Sequence, residues 1–189
     1  MTKTARRAAG VAVVVAVLGW TSSAAAESAA AVAGQLSLLA PDAHVRGLSP
    51  RVRATITEAA TQSKTFRGLV DWINASDGIV YVEEGTCGHG VRACFVTVTT
   101  AGPNRILRVK VDTRQADSDL LWLIGHELRH TIEVLSNPTV MSQVDMYFFY
   151  GQAGQVQNGG RAFETTAAIE AGLAVRAELR ASAAAQRRK

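Results

Sequence analysis

The stretch DSDLLWLIGHELRHTIEVLSN, Asp117 to Asn137, constrains the fold more than any other part of the chain. Asp117, Ser118 and Asp119 bring capping groups and negative charge suited to a helix start, and Ser136-Asn137-Pro138 stops it. In between, Leu120, Leu121, Ile124, Leu128, Ile132 and Leu135 recur at helical spacing and form an apolar stripe that needs a core to lie on. His126 and His130 stand away from that stripe, with Glu127 beside them. The spacing therefore predicts a helix that packs on a core with one side and turns two imidazoles toward a cleft with the other.

The elements around this helix give it something to pack on. Ser49-Pro50 reads as an N-cap followed by a first-turn proline, with Val52, Ile56 and Ala59 behind it at helical spacing. Thr65 to Asn74 carries Phe66, Leu69, Val70 and Ile73 on one side and ends at Asp77-Gly78. Three strand candidates follow: Gly78 to Glu84, Cys94 to Ala101, and Arg105 to Asp112 after the turn residues Gly102-Pro103-Asn104. In the last of these, Leu107, Val109 and Val111 alternate with Arg108 and Lys110. The simplest arrangement is an antiparallel meander. Further helices are expected over Val140 to Tyr150 and Ala162 to Ser182, the two separated by a loop through Asn158-Gly159-Gly160. The fold class is α+β, with a small antiparallel or mixed sheet of about three strands packed on the histidine helix and further helices.

Lys3, Arg6 and Arg7, the apolar run Ala8 to Trp20 and the small residues Ala24-Ala25-Ala26 have the pattern of a signal peptide cut after Ala26. The run is shorter than the roughly 20 residues a membrane span needs. The expected organisation is a signal peptide over 1–26, a linker or pro-like segment over 27–48, and a single domain over 49–189. The product is then secreted or periplasmic, with no stable membrane anchor. The first 26 residues hold three of the 20 basic residues and none of the 16 acidic ones, which leaves 17 against 16 and a net charge of +1. Such a balance gives no general electrostatic case for nucleic acid. Cys87 and Cys94 read as a disulfide in an exported chain. A metal site of Cys87, His89 and Cys94 is the rival reading, and it lacks a fourth ligand and the usual spacing.

HELRH is H-E-x-x-H. On a helix His126 and His130 lie about 40° apart and one turn above each other, so both imidazoles can reach one ion. Glu127, about 100° from His126, can hold a water molecule beside that ion and take its proton. Zinc hydrolases use this spacing because it puts two ligands and a general base on one rigid turn. The expected ion is Zn2+. Catalytic zinc takes a third protein ligand. His44 and His89 do not stand where a metzincin places its third histidine, and Glu133 and Ser136 replace that motif's glycine and histidine. Glu133 lies on the histidine side but ~10.5 Å beyond His126 along the axis, too far to join both histidines on one ion. It is expected to support a ligand or line the rim. Glu164, 34 residues after His130 at the expected start of a new helix, is the preferred third ligand, with Glu170 as its rival. Tyr147, Tyr150 and Arg161 lie between the two ligand segments and are candidates to donate to a developing oxyanion, against the plainer reading of core aromatics and a surface arginine.

HELRH followed by Glu164-Thr165-Thr166-Ala167-Ala168 resembles the gluzincins, the thermolysin-like zinc peptidases, which join H-E-x-x-H to a glutamate in E-x-x-A-D or N-E-x-x-S-D on a later helix. HELRHTIEVL with FETTAAIEAG is also similar to a group of small exported bacterial H-E-x-x-H proteins. Ala168 stands where the gluzincins often have an aspartate that braces a zinc histidine, so another group has to orient the imidazole. The resemblance implies a zincin-like fold. In that fold an edge strand above the active helix pairs with an extended substrate, and Arg105 to Asp112 is the expected strand, an ordinary sheet edge being the alternative. It also implies a zinc metallopeptidase acting on a peptide or protein substrate. The alternative from a different class is a non-catalytic exported protein that keeps the zinc site as a structural element or metal store.

Overall fold

The computed structural model describes residues 42–88, 90–114, 116–153, 155–157 and 162–188. The expected signal peptide and most of the 27–48 segment lie outside them, as do His89 and Arg161. In chain order the elements are β1 (Val45–Gly47), α1 (Pro50–Gln62), α2 (Lys64–Asn74), β2 (Gly78–Glu84), β3 (Ala93–Ala101), β4 (Asn104–Val111), α3 (Asp117–Leu135), α4 (Gln143–Ala153), β5 (Gln155–Gln157), β6 (Ala162–Glu164) and α5 (Thr166–Gln186). The class is α+β: five helices with a four-stranded mixed sheet, plus a two-stranded ribbon of β5 and β6. Among the described residues no helix is long and apolar enough to cross a membrane.

The sheet order is β1-β2-β4-β3, which corrects the expected meander. β2 and β4 are parallel, in register from Gly78–Arg105 to Glu84–Val111, and within this sheet β3 and β4 form the antiparallel hairpin. Its Gly102-Pro103 turn puts Gly102 at φ 60°, with glycine first as two-residue hairpin turns require. After β2 the chain crosses the end of β4, where Gly85 N–H donates to Val111 O at 2.9 Å, and starts β3 on the far edge. The Cys87–Cys94 disulfide ties that crossing to β3. β1 is a second correction. Val45–Gly47, inside the stretch read as a linker, runs parallel to β2, with Val45 paired to Val80 and buried.

The alternation read in β4 holds: Leu107, Val109 and Val111 are buried against the helices, while Arg108 and Lys110 face outward and approach Glu83. Arg105 has the same parity as the apolar residues and is also buried. Its guanidinium donates to both Asp77 carboxylate oxygens (2.7 and 2.9 Å) and to the carbonyls of Val134, Leu135 and Asn137 at the end of α3. The last carbonyls of a helix have no partner within it, and Arg105 supplies one from the sheet.

α1 begins as expected: the Ser49 side chain accepts from Val52 N–H, and Val52, Ile56 and Ala59 are buried. α3 is the central element. It packs on β3 and β4, on α1 and α2, and most extensively on α5. Gly125 of α3 and Gly172 of α5 mark that crossing. A Cβ on Gly125 would meet Val175 Cγ2 at 3.0 Å, and one on Gly172 would meet His126 Cβ at 3.1 Å. The closeness of α5 to His126 therefore depends on a missing side chain at position 172.

Candidate metal centre

The apolar stripe of α3 is buried as its spacing predicts. The side bearing the histidines is covered as well: Glu127 is 5% exposed and His130 4%. β3, α4, β6 and the start of α5 cover much of it, while the His126 and Glu164 side chains stay 12% and 25% exposed, so the cluster opens to the surface on their side.

His126, His130 and Glu164 come together there. One ligand atom from each lies within 4.8 Å of the other two. His126 Nε2 is 3.4 Å from Glu164 Oε2, and the two imidazole centroids are 4.8 Å apart. Glu164 is the last residue of β6, which corrects its expected place on a helix; α5 starts only at Thr166, with Thr165 as its N-cap. The ribbon thus delivers the carboxylate across the open side of the histidine pair. Glu170 is exposed on α5 and is not part of the cluster.

The His130 imidazole is oriented by a partner at one nitrogen. His130 Nδ1 is 3.0 Å from Glu133 Oε2. With that nitrogen donating, Nε2 carries the lone pair, and Nε2 is a buried polar atom with no hydrogen-bond partner among the described residues. The Ala168 carbonyl lies near His126 and favours its protonated form, so the main chain at position 168 faces the imidazole although the aspartate side chain is absent. Orientation of ligand histidines through their second nitrogen is what metal sites require. Three donor atoms of the types zinc takes, one of them buried and orphaned, fit a metal ion. The described geometry does not select which ion.

Glu133 does more than line a rim. Besides His130 it accepts from Thr165 Oγ1 at 2.6 Å and from Tyr150 OH at 3.3 Å, so one carboxylate joins α3, α4 and the residue after Glu164. Tyr150 OH also donates to His130 O at 2.8 Å; its phenol is committed to holding α3 and faces no open space. Tyr147 is 57% exposed and packs edge-on against Phe163 at 5.5 Å. Phe163 also stacks on Tyr150, which fixes the residue before Glu164. His44 belongs elsewhere, at the end of α2, where its ring meets Ile73 O.

Charges within the cluster support one another. Burial disfavours the His126 cation, but Glu164, Glu127 and the Ala168 carbonyl outweigh it and raise the pKa. Burial raises Glu164 as well, and His126 and His130 reverse it, so that its pKa is lowered. In Glu133 the hydrogen bonds from His130 and Thr165 likewise overcome burial and lower the pKa. For Glu127 burial wins: its pKa is raised although both histidines oppose the shift. The Phe95 amide of β3 lies near the carboxylate and works against that shift. The β3–β4 register shifts by one residue between Phe95 and Thr97, and such a bulge re-aims the strand locally.

No protein-family model matches the chain, and neither a curated protein nor a solved structure matches it.

Proposed function

We propose that this protein is an exported zinc-dependent metallohydrolase, a peptidase of gluzincin-like chemistry, with zinc held by His126, His130 and Glu164. The observation that carries the reading is the orphaned Nε2 of His130, buried beside His126 and Glu164 with its Nδ1 occupied by Glu133. A buried imidazole nitrogen without a partner costs free energy unless something binds it. A bound zinc ion supplies Lewis acidity for the attack of water on a peptide carbonyl.

The residues of the chain do the rest. Glu127 takes the proton of the attacking water and passes it to the leaving amine. The Phe95 amide lies beside the Glu127 carboxylate and favours its charged form. Glu133 keeps the His130 imidazole in the tautomer that presents Nε2. The zincin-like substrate strand is reassigned. Arg105 to Asp112 is interior, with β2 on one side and β3 on the other, and cannot accept a further strand. β3 is the free edge next to Glu127, and an extended peptide paired along it would lie over the cluster.

The test is Glu127→Ala. It is expected to bind zinc like the wild type and to lose hydrolysis of a denatured protein substrate by at least roughly a hundredfold. The non-catalytic alternative draws on the burial of Glu127. Wild-type protein that binds zinc but cleaves none of a broad peptide library would favour it. Undiminished cleavage by Glu127→Ala would refute the assigned role.

A further inference from the structure

Away from the cluster, α1, the start of α3 and the C-terminal half of α5 enclose a cleft of about 660 Å3. Arg176 and Arg180 of α5 line it, with Arg187 and Arg188 just past the helix end. Arg176 to the helix end at Gln186 covers ~15 Å of axis. Glu58 and Asp119 also line the cleft, and both are engaged. Gln62 donates to Glu58 at 3.0 Å, while Asp119 receives Arg92 at 3.3 Å and the Trp122 indole at 3.2 Å.

None of the four arginines pairs with a carboxylate among the described residues. Arg176 instead lies over the Trp122 ring, 5.3 Å from its centroid, an arrangement that leaves the in-plane N–H groups of a guanidinium available. Cations at a helix C-terminus also complement its dipole, but that effect fades beyond the last turn. It accounts for Arg187 and Arg188 and not for Arg176 and Arg180. α5 uses arginine at every basic position and no lysine. A guanidinium fork engages two oxygens of one phosphate at a time. A phosphate group carries roughly −1.5 to −2 at neutral pH and spans only a few ångströms, so arginines spread this far along the cleft need more than one such group to engage them together.

We infer that this cleft binds a ligand bearing two or more phosphate groups, at a site separate from the metal centre. Two sources share that chemistry: a soluble oligophosphate and the headgroups of an anionic phospholipid surface. The test titrates the full-length chain with tripolyphosphate by calorimetry and, in parallel, floats it with phosphatidylglycerol-containing vesicles against pure phosphatidylcholine. Arg180→Gln/Arg187→Gln removes two cleft charges. Arg108→Gln/Lys110→Gln removes two charges from the outer face of the sheet and is the control; circular dichroism checks that both variants keep the wild-type fold. Tripolyphosphate binding that weakens roughly tenfold or more in the cleft variant and little in the control is the expected result. Binding confined to anionic vesicles, with the same variant pattern, also supports the site and identifies the headgroup as the source. Binding of neither probe, or equal weakening in both variants, overturns it.

Discussion

Glu133 reaches His130, Tyr150 and Thr165 at once, so its removal should act on the metal site before it acts on the fold. Glu133→Ala is expected to weaken zinc binding by roughly tenfold to a hundredfold, measured by competition with a chelating dye. Unchanged affinity would show that His130 needs no brace. Gly172→Ala places a methyl group 3.1 Å from His126 Cβ. The two helices have to part slightly, at a cost of about 1–3 kcal/mol in urea denaturation, and zinc affinity should fall with it. At this scale the sequence was legible where chemistry has a spacing. H-E-x-x-H put His126, Glu127 and His130 on one turn, and Glu164 was preferred over Glu170, which the fold leaves exposed. The nearness of the Ala168 carbonyl to His126 was not legible, because a main-chain group leaves no mark on residue type.

α3 is held at its C-terminal end by Arg105, an arginine on the buried face of β4 that also chelates Asp77. Arg105→Met should cost about 1–3 kcal/mol, since it leaves carbonyls at the end of α3 without their donor. The Arg105 hydrogen bonds hold Asp77 below its usual 3.8. Stability from a depressed acid is fully present above the unfolded value and is lost as pH falls through the folded one. Wild-type urea midpoints should therefore drop more steeply than those of Asp77→Asn on acidification below about pH 4. Parallel curves would remove the pair from the stability of the fold. This residue had a signal: Arg105 keeps step with Leu107, Val109 and Val111, and a charge on an apolar parity needs a buried partner. Strand order had none. Nothing local tells β2 to lie beside β4 rather than β3, and parallel pairing is decided by how α1, α2 and α3 share one face of the sheet. The bulge after Phe95 was equally hidden, since Val96 and Val98 alternate as in a regular strand. Ala162 to Glu164 looked helical because it runs straight into α5; its pairing with β5 is set by the ribbon and not by its own three residues.

Across the whole molecule, two cross-links gather the site. The disulfide closes a short loop beside Phe95, and Cys87→Ser/Cys94→Ser is expected to cost about 2–2.5 kcal/mol. The metal would join α3 to the ribbon, and because only the folded chain assembles all three ligands, zinc at a hundredfold excess over its dissociation constant should stabilise by about 2.7 kcal/mol. A thermal midpoint indifferent to zinc would deny that linkage. The central claim rests on three side chains from two distant segments meeting at one ion. The measurement that tests it most directly is zinc per chain in the purified wild type, Glu164→Ala and Glu170→Ala. About one zinc in the wild type and in Glu170→Ala, with weakened retention in Glu164→Ala, is the expected result. A wild type that takes up no zinc at neutral pH would contradict it and leave HELRH as buried polar residues on a core helix.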